Sequence, residues 1–490
     1  MKTVLTLALL LISLALPTAL SQQKSQQKLP QNILAISDVT VIDVTGGPAK
    51  PNMTVIITGD RITTIIKNGE VAIPKNAQVI DGKGKFLIPG LWDMHVHTAL
   101  QGLPETYFPM FIANGVTGVR DMAADLEFVK QLRKDMLDGR LVGPRINAGK
   151  MIDGPMPVWP RQHPISISDE LSARQTAASV KDSGADFIKV YSLIPRHAYF
   201  ALADEAKKRG ITFAGHVPLS VTASEASDAG QKSIEHMDGI LLACSAIEPE
   251  LRKTIDDATK GAKDTDQMRA ALVRVLNETE FRAMETYNPE KAAALFARFA
   301  ANGTWQAPTL VVPRMAAFLD DSNFTNDPRL KYVRREMRDS WKNQDDFRLK
   351  NRTVESSARY KMAFQNRLES ILAMHRAGVR MLAATDALVW YVFPGFSLHD
   401  ELELFVKAGL NPMEALQTAT RNPAIYLGLI DTVGTVEKGK KADLVLLEAS
   451  PLENISNTKR IAAVVVGGRL IPKVSLDKML RDVEAAAGKS

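Results

Sequence analysis

Two histidines one residue apart are the first residues in this chain whose spacing suits chemistry. His95 and His97 follow the apolar run 86-FLIPGLW-92. In an extended strand, residues two apart point to the same face, so the two imidazoles project side by side. Neutral imidazole is a common metal ligand. A His-x-His pair alone is weak evidence, and the residues that surround it must decide its meaning.

Other polar residues stand where later apolar runs end. The run 211-ITFAG-215 is followed by His216, and two further runs end in His236 and Asp386. If these runs are parallel strands of a barrel, their C-terminal ends open on one face, where catalytic groups converge. Residues that are far apart in sequence are therefore expected to share one site.

Lys189 lies within the apolar run 187-FIKVY-191. A lone buried ammonium group is very costly or loses its proton. A neutral lysine can react with carbon dioxide to give a carbamate, an anionic ligand whose two oxygens can bridge two metal ions. The alternative is a side chain that extends out of the barrel end and pairs with a carboxylate such as Asp186. The surrounding histidines favour the metal-binding interpretation.

The middle of the chain contains short apolar runs separated by helical stretches. Apolar strands that alternate with helices are typical of a parallel sheet, and eight of them predict a closed (β/α)8 barrel. The predicted strands lie within 86–97, 115–121, 144–149, 186–192, 211–216, 233–237, 304–312 and 379–387.

Two connections, about 240–303 and 313–378, are too long for simple barrel helices. Both have helical patterns, as in 289-PEKAAALFARFAANG-303 with its terminal glycine. These insertions either form a lid at the mouth of the barrel or only cover its side, and the sequence favours neither.

Short pieces rich in β-branched residues lie at both ends of the chain, within 33–84 and 433–475. Each is too small to bury its own apolar face, so the two are expected to pack together. We therefore predict a composite β-sandwich domain, and a barrel domain over 85–432.

Residues 1–21 have the pattern of a secretory signal peptide, with Lys2 followed by an apolar core over Val4 to Leu16. This core is too short for a comfortable membrane span, and the polar linker 22–32 follows it. We expect an exported protein, periplasmic or extracellular, with no stable membrane span. Cys244 is the single cysteine, so no disulfide is expected within the chain.

Composition predicts a globular chain with a substantial core, because 45% of the 490 residues are hydrophobic and 24% are charged. The net charge of +6 comes from 61 basic and 55 acidic residues mixed along the chain. No basic run is interleaved with aromatic residues, so no nucleic-acid partner is expected. A homo-oligomer is left open.

Several of these segments together resemble the amidohydrolase superfamily, and within it the imidazolonepropionase-like and prolidase-like metal-dependent hydrolases. The likeness runs from about Ile33 to Ile471. It implies a distorted (β/α)8 TIM barrel with a small β-sandwich formed by the N- and C-terminal segments. The matching segments are 88-IPGLWDMHVH-97, 186-DFIKVY-191, 215-GHVP-218, 234-IEHMDG-239, 384-ATDA-387 and 434-GTVEKGKKADLVLL-447.

The resemblance implies two divalent metal ions, for which imidazole and carboxylate ligands suit zinc, with manganese, cobalt and iron left open. By this resemblance the ligands are His95, His97 and Asp386 for one ion, His216 and His236 for the other, and Lys189 as a bridging N6-carboxylysine formed with carbon dioxide.

The chemistry of such a centre is amide hydrolysis. Two divalent ions that share a water lower its pKa and supply a bridging hydroxide as nucleophile. Asp386 can accept its proton and pass it to the leaving nitrogen. We therefore predict hydrolysis of an amide or peptide C–N bond in a small substrate, of the dipeptidase or prolidase kind, with ester and lactone bonds left open.

The chain also departs from both groups of relatives. Imidazolonepropionases use one metal and lack the bridging lysine, whereas prolidase-like members often continue the lysine strand with Met-x-Thr-Gly-Gly, which here reads 190-VYSLIPRH-197. The substrate therefore cannot be transferred from either group. Tyr191, His163 and His399 are candidates for substrate contact.

Two alternatives stay open at this point. One is a mononuclear cyclic-amide hydrolase or deaminase of the imidazolonepropionase kind, and the other is a non-catalytic binding protein on the same fold. Near the site, Asp93 is expected to brace the strand of the histidine pair, and Arg120 and Asp121 are expected to form an ion pair.

Overall fold

The computed structural model describes residues 32–159, 163–342, 349 and 352–489. The predicted signal peptide and nearly all of the polar linker lie outside the described residues. No helix of the described part combines the length and the apolar character that a membrane span needs.

The strands and helices of the described part alternate through the middle of the chain and are mostly strands at its start. The strands are β1 (Ile33–Val41), β2 (Lys50–Thr58), β3 (Arg61–Lys67), β4 (Gln78–Asp81), β5 (Phe86–Pro89), β6 (Leu91–Val96), β7 (Val116–Asp121), β8 (Arg145–Asp153), β9 (Ile165–Ser166), β10 (Phe187–Val190), β11 (Thr212–Gly215), β12 (Ser233–Glu235), β13 (Trp305–Ala307), β14 (Leu444–Leu447), β15 (Ile461–Val466) and β16 (Arg469–Pro472). The helices are α1 (Pro104–Ala113), α2 (Leu126–Leu137), α3 (Glu170–Asp182), α4 (Arg196–Arg209), α5 (Ala223–Asp228), α6 (Ile240–Ala243), α7 (Glu248–Thr259), α8 (Thr265–Glu285), α9 (Pro289–Asn302), α10 (Val311–Phe318), α11 (Ser322–Thr325), α12 (Arg335–Ser340), α13 (Val354–Arg376), α14 (Phe396–Ala408), α15 (Pro412–Thr418), α16 (Arg421–Tyr426) and α17 (Lys473–Ala487).

One sheet joins the two ends of the chain. Its strand order is β16-β15-β14-β5-β1-β2-β3, with β4 paired to β1. The two ends meet where β5 and β14 pair antiparallel, with Leu87 opposite Leu446. Alternate residues of these strands bury aliphatic side chains in a separate small core. The predicted composite β domain is confirmed.

The second sheet is the predicted barrel. Its order is β13-β12-β11-β10-β8-β7-β6, with parallel pairing between neighbours. The eighth predicted strand, 379–387, is irregular and closes the barrel through isolated parallel bridges, Val96 to Ala387 and Gln306 to Met381. This segment departs from regular strand geometry at Asp386, whose φ is +60°.

The insertions consist of helices with recognisable end signals. α6 to α9 follow β12, and α10 to α13 follow β13. In α9 the side chain of Asn288 accepts from the backbone N–H of Lys291, Pro289 occupies the first turn, and Gly303 ends the helix with φ +67°. Capping residues therefore fix where α9 begins and ends.

Candidate metal centre

Three of the predicted ligands lie together at the carboxyl end of the barrel. His95 is the fifth residue of β6, His97 follows that strand, and Asp386 lies on the irregular eighth segment. The Asp386 Oδ1 atom lies 3.4 Å from His95 Nε2 and 3.2 Å from His97 Nε2. One ligand atom from each residue falls within 4.8 Å of the other two, a spacing that suits one metal ion.

The other two histidines extend this group. His216 and His236 come directly after β11 and β12. The imidazole of His236 lies 4.6 Å from that of His95 and 4.9 Å from that of His216, measured between ring centroids. The four imidazoles therefore form one continuous cluster.

Unusual backbone conformations at the strand ends orient the side chains of His216 and His236. Gly215, which precedes His216, has φ +142°, and a Cβ there would lie 2.1 Å from the carbonyl oxygen of Val190 and 2.8 Å from Lys189 Cδ. Only glycine allows this close approach. His236 has φ +59°, a conformation that non-glycine residues adopt rarely and that often marks functional sites.

Three of the four imidazoles use Nδ1 for a protein partner, which leaves Nε2 for a metal. Metal-binding histidines almost always engage their second ring nitrogen in this way. The partners are Glu235 Oε2 for His95 at 2.9 Å, Ser192 Oγ at 2.8 Å and Asp238 Oδ2 at 2.9 Å for His216, and Thr309 Oγ1 for His236 at 2.8 Å.

The polar atoms at the centre of the cluster fit a bound divalent ion. Within the described residues, His95 Nε2, His97 Nδ1 and Lys189 Nζ are buried and have no hydrogen-bond partner. Burial lowers the pKa of His95 well below its usual value and that of His236 to about 3. Both imidazoles are therefore neutral and can offer a lone pair to a cation.

Lys189 is fully buried on β10. Burial lowers the pKa of its amine to about 8, and its charge acts on His95, His236 and Asp386. The alternative pairing with Asp186 is wrong, because Asp186 instead accepts from Arg133 Nη2 at 2.6 Å and from the backbone N–H of Ala148 at 2.7 Å. A surface arginine from α2 satisfies that carboxylate, and the lysine points into the barrel.

Glu235 is the main residue that the sequence analysis missed. Its carboxylate holds His95 and accepts two bonds of 2.8 Å from Arg120 Nη2, and both residues are fully buried. Arg120 also donates to the carbonyl of Met94 at 2.6 Å. The sequence did contain a signal for this pair. Glu235 and Arg120 each lie in a predicted buried strand, and buried opposite charges are expected to pair.

The predicted ion pair between Arg120 and Asp121 is wrong. Consecutive side chains of a strand point to opposite faces, so these two cannot meet. Asp121 instead accepts backbone N–H groups of Thr98 and Ala99, each at 2.7 Å. It thereby fixes the chain just after His97.

Asp93 connects the strand of the histidine pair to the segment that carries Asp386. It accepts from the backbone N–H of His95 at 3.2 Å and from the hydroxyl of Thr385 at 2.6 Å. Burial raises the pKa of this carboxyl to about 7. These bonds tie β6 to the segment that carries Asp386.

A cavity of about 330 Å³ opens over the candidate metal ligands, a group of side chains that we call the metal cluster. The cavity is lined by His216, His236 and Asp386. The rest of its wall comes from the insertions, with Glu280 on α8, Pro313 on α10 and Arg367 on α13 among the lining residues. Both insertions therefore contribute to the wall of this cavity, and neither only covers the side of the barrel.

The three candidates for substrate contact have different surroundings. Tyr191 lines the cavity, and its ring centroid lies 3.9 Å from that of His216. His163 is exposed and is not among the described residues that line the cavity, so its predicted role gains no support. The substrate contact predicted for His399 is wrong, because this side chain is buried and both ring nitrogens are occupied, by Thr458 Oγ1 at 2.9 Å and the Asn114 carbonyl at 3.1 Å.

A family model matches most of this chain, and curated relatives match about a fifth of it. A family model described as the amidohydrolase family matches residues 86–471. An imidazolonepropionase from Rubrobacter xylanophilus is 36% identical over 108 residues, which are 20% of this chain and 25% of that protein. Adenine deaminase 1 from Carboxydothermus hydrogenoformans is 32% identical over 111 residues, 22% of this chain and 17% of that protein. The matched part thus spans a quarter or less of each of these two curated relatives.

Solved structures resemble the chain over nearly its whole length. A putative prolidase from Bifidobacterium longum has a TM-score of 0.62 at 23% identity and covers 92% of this chain and 99% of its own. A bottromycin amidohydrolase has a TM-score of 0.70 at 21% identity and covers 94% of this chain and 92% of its own. At this level of identity the likeness establishes a shared fold.

Proposed function

This chain belongs to the amidohydrolase family, and on that premise we propose that it is a metal-dependent hydrolase of an amide or peptide C–N bond in a small substrate, with two bound divalent ions. One observation carries the proposal. Three imidazoles engage protein partners through Nδ1, and the atoms left at the centre include the buried, unpartnered His95 Nε2 and Lys189 Nζ. Such an arrangement is costly unless cations complete it.

The ligand set divides naturally between two ions, for which zinc is the favoured identity. Bound divalent ions supply a Lewis acid for the substrate carbonyl and a water of lowered pKa as nucleophile. His95, His97 and Asp386 would hold one ion, His216 and His236 would hold the other, and carboxylated Lys189 would bridge the two.

Lys189 would serve as the bridging ligand in the form of a carbamate. Its neutral amine nitrogen attacks the carbon of carbon dioxide, an N–C bond forms, and the nitrogen releases a proton to solvent. The product carries one negative charge on two oxygens. Burial without a hydrogen-bond or salt-bridge partner in the described part of the chain supports this assignment, since a buried ammonium ion without a direct partner is costly.

Asp386 is the residue that moves the proton. It lines the cavity and approaches both members of the histidine pair. Its carboxylate accepts the proton from the attacking water and donates it to the leaving nitrogen, so that the amine departs neutral. Asp93 and Thr385 hold the segment that carries it.

The test is a screen of the zinc-loaded protein against N-acyl amino acids and dipeptides, with release of the free amine as readout. We expect hydrolysis of members of this panel and its loss after chelation. A metal-loaded protein that is inactive against the amide, dipeptide and lactone members would contradict the proposal. Growth of a carbamate signal for Lys189 in ¹³C NMR with labelled bicarbonate tests the modification separately.

A mononuclear cyclic-amide hydrolase or deaminase is the second candidate. One observation favours it. Among the described residues, the ligand atoms that lie close enough to share an ion come from His95, His97 and Asp386, and these three suit a single ion. The named relatives, an imidazolonepropionase and an adenine deaminase, agree with this alternative. It predicts ring opening or ammonia release, and no carbamate signal.

A further inference from the structure

A second cavity, of about 310 Å³, lies beside the metal centre and has no part in the chemistry described so far. It shares Tyr191, His216, Asp238, Glu280 and Arg367 with the cavity over the metal cluster, so the two spaces meet at these residues. Its volume falls at the lower end of the roughly 300–1,000 Å³ that small-molecule pockets occupy. We call this second cavity the side chamber.

The wall of the side chamber is mainly aliphatic. Its apolar lining comes from the loop after β11 and from the first insertion, chiefly α6, α7 and α8. Residues that represent these elements are Val221, Leu242, Ile255, Leu272, Val273 and Leu276.

The charged residues of the side chamber are largely committed to protein partners. Arg252 Nε donates to Glu248 at 2.9 Å and its Nη1 donates to the carbonyl of Val221 at 3.2 Å, whereas its buried Nη2 has no hydrogen-bond partner among the described residues. Arg367 pairs with Glu280 at 2.7 Å. The chamber therefore offers a ligand mainly apolar contact, together with one free donor on Arg252.

The position of Asp386 decides which half of a substrate enters the side chamber. Asp386 lines the cavity over the metal cluster and is not among the residues that line the side chamber. Because Asp386 delivers a proton to the leaving nitrogen, the amine half must stay in the cavity over the metal cluster. The acyl half then extends past His216 and Tyr191 into the side chamber.

Resting on the proposed function, we propose that the side chamber binds a large apolar group on the acyl side of the scissile bond. The substrate class is then N-acyl amines or dipeptides whose acyl half carries an extended aliphatic chain or a bulky apolar side chain. Specificity for the acyl group comes from the first insertion, whereas the barrel supplies the reaction.

The test measures kcat/KM for one amine acylated with acetyl, butanoyl, hexanoyl and octanoyl groups. Each added methylene that the chamber buries is expected to raise kcat/KM roughly fourfold. The variant Leu276→Trp changes a residue at the exposed edge of the chamber and should remove the dependence on chain length. Arg274→Trp, at an exposed position of the same helix outside the lining, is the matched control and should keep the full dependence.

Calorimetric titration of the holoenzyme with octanoate and with acetate separates failure of this inference from failure of the proposed function. Tighter binding of octanoate, weakened by Leu276→Trp and not by Arg274→Trp, supports the side chamber even if no amide is hydrolysed. Hydrolysis that is independent of acyl length, together with equal binding of the two acids, overturns the inference and leaves the hydrolase standing. A rate that instead follows the size of the amine half also overturns it.

Discussion

The carboxyl end of the barrel and the two helical insertions differ in how they hold the residues that face the substrate. At the barrel end, each imidazole is fixed by its strand and by a short polar contact, such as the 2.9 Å bond between His95 and Glu235. The insertions contribute side-chain surface, aliphatic on α8 and mixed on α10 and α13. The difference suggests that the barrel determines the reaction and that the insertions determine which substrate reaches it.

One contact between the two regions involves a candidate metal ligand. Arg367 on α13 pairs with Glu280 on α8 and donates from Nη1 to the carbonyl oxygen of His236 at 2.9 Å. A residue from an insertion thus contacts the backbone of a candidate ligand, His236, whose φ is +59°. Substitutions on either side of this contact can separate the two contributions.

The largest effect is expected inside the barrel, from Lys189→Ala and Asp386→Asn. Loss of the proton-transfer group typically costs about 10²–10⁴-fold in rate, and loss of the bridging ligand should nearly abolish turnover. Amine release and circular dichroism together check activity and folding. Lys150→Ala is the matched control, because Lys150 pairs in register with Ile188, whose side chain lies on the opposite face from Lys189. Normal turnover in Lys189→Ala or Asp386→Asn would contradict the role given to that residue.

Glu235→Gln should have the next largest effect. Removal of a group that orients a metal-binding histidine typically costs about 10–100-fold in metal affinity or activity. The variant also leaves the guanidinium of Arg120 buried against a neutral amide. Competition with a chelator measures the metal affinity. An unchanged affinity in a folded variant would mean that Glu235 only compensates the arginine.

Arg367→Met tests the contact between the two regions. It removes the hydrogen bond to His236 and leaves Glu280 unpaired, for which we expect roughly a tenfold loss of kcat/KM. Arg359→Met on the same helix is the matched control, since Arg359 pairs at the surface with Glu285 at 3.2 Å and such pairs contribute little. Equal rates for the two variants would show that the insertions act independently of the ligand.

His399→Gln should leave turnover unchanged and alter only stability. Burial lowers the pKa of His399 to about 4, so the folded protein keeps this imidazole neutral at a pH where the unfolded chain protonates it. The stability that depends on the neutral form is present above the unfolded pKa of about 6.5 and is lost as the pH falls toward 4, up to about 3 kcal/mol.

The measurement is Tm from pH 7.5 to 4.5 in both proteins. The wild type should lose more Tm than the variant over this interval. Parallel curves, or a large loss of turnover in His399→Gln, would contradict the structural role of this histidine.

Strand-end residues were predictable from the sequence, and their partners were not. His216, His236 and Asp386 were identifiable because each follows a short apolar run, and parallel strands bring such ends together. Glu235 contacts a histidine 140 residues earlier in the chain, and only the closed barrel reveals that contact. The same reason explains why the substrate contact predicted for His399 is wrong. One ring nitrogen of His399 bonds to a backbone carbonyl 285 residues away in the chain.

The insertions illustrate a second limit. Helix patterns and capping residues identified helical segments, but periodicity does not tell which surface a helix packs against. Whether α8 and α13 form the cavity wall or lie along the barrel depends on contacts such as that of Arg367 with Glu280. The fold class was therefore accessible from the sequence, and the shape of the substrate cavity was not.

The number of metal ions per chain tests the central claim most directly. Elemental analysis of the zinc-loaded wild type and of Lys189→Ala, each normalised to protein concentration, provides it. We predict two ions per chain in the wild type and no more than one in Lys189→Ala. One ion in both proteins, or no bound ion in the wild type, would contradict a binuclear centre bridged by this lysine.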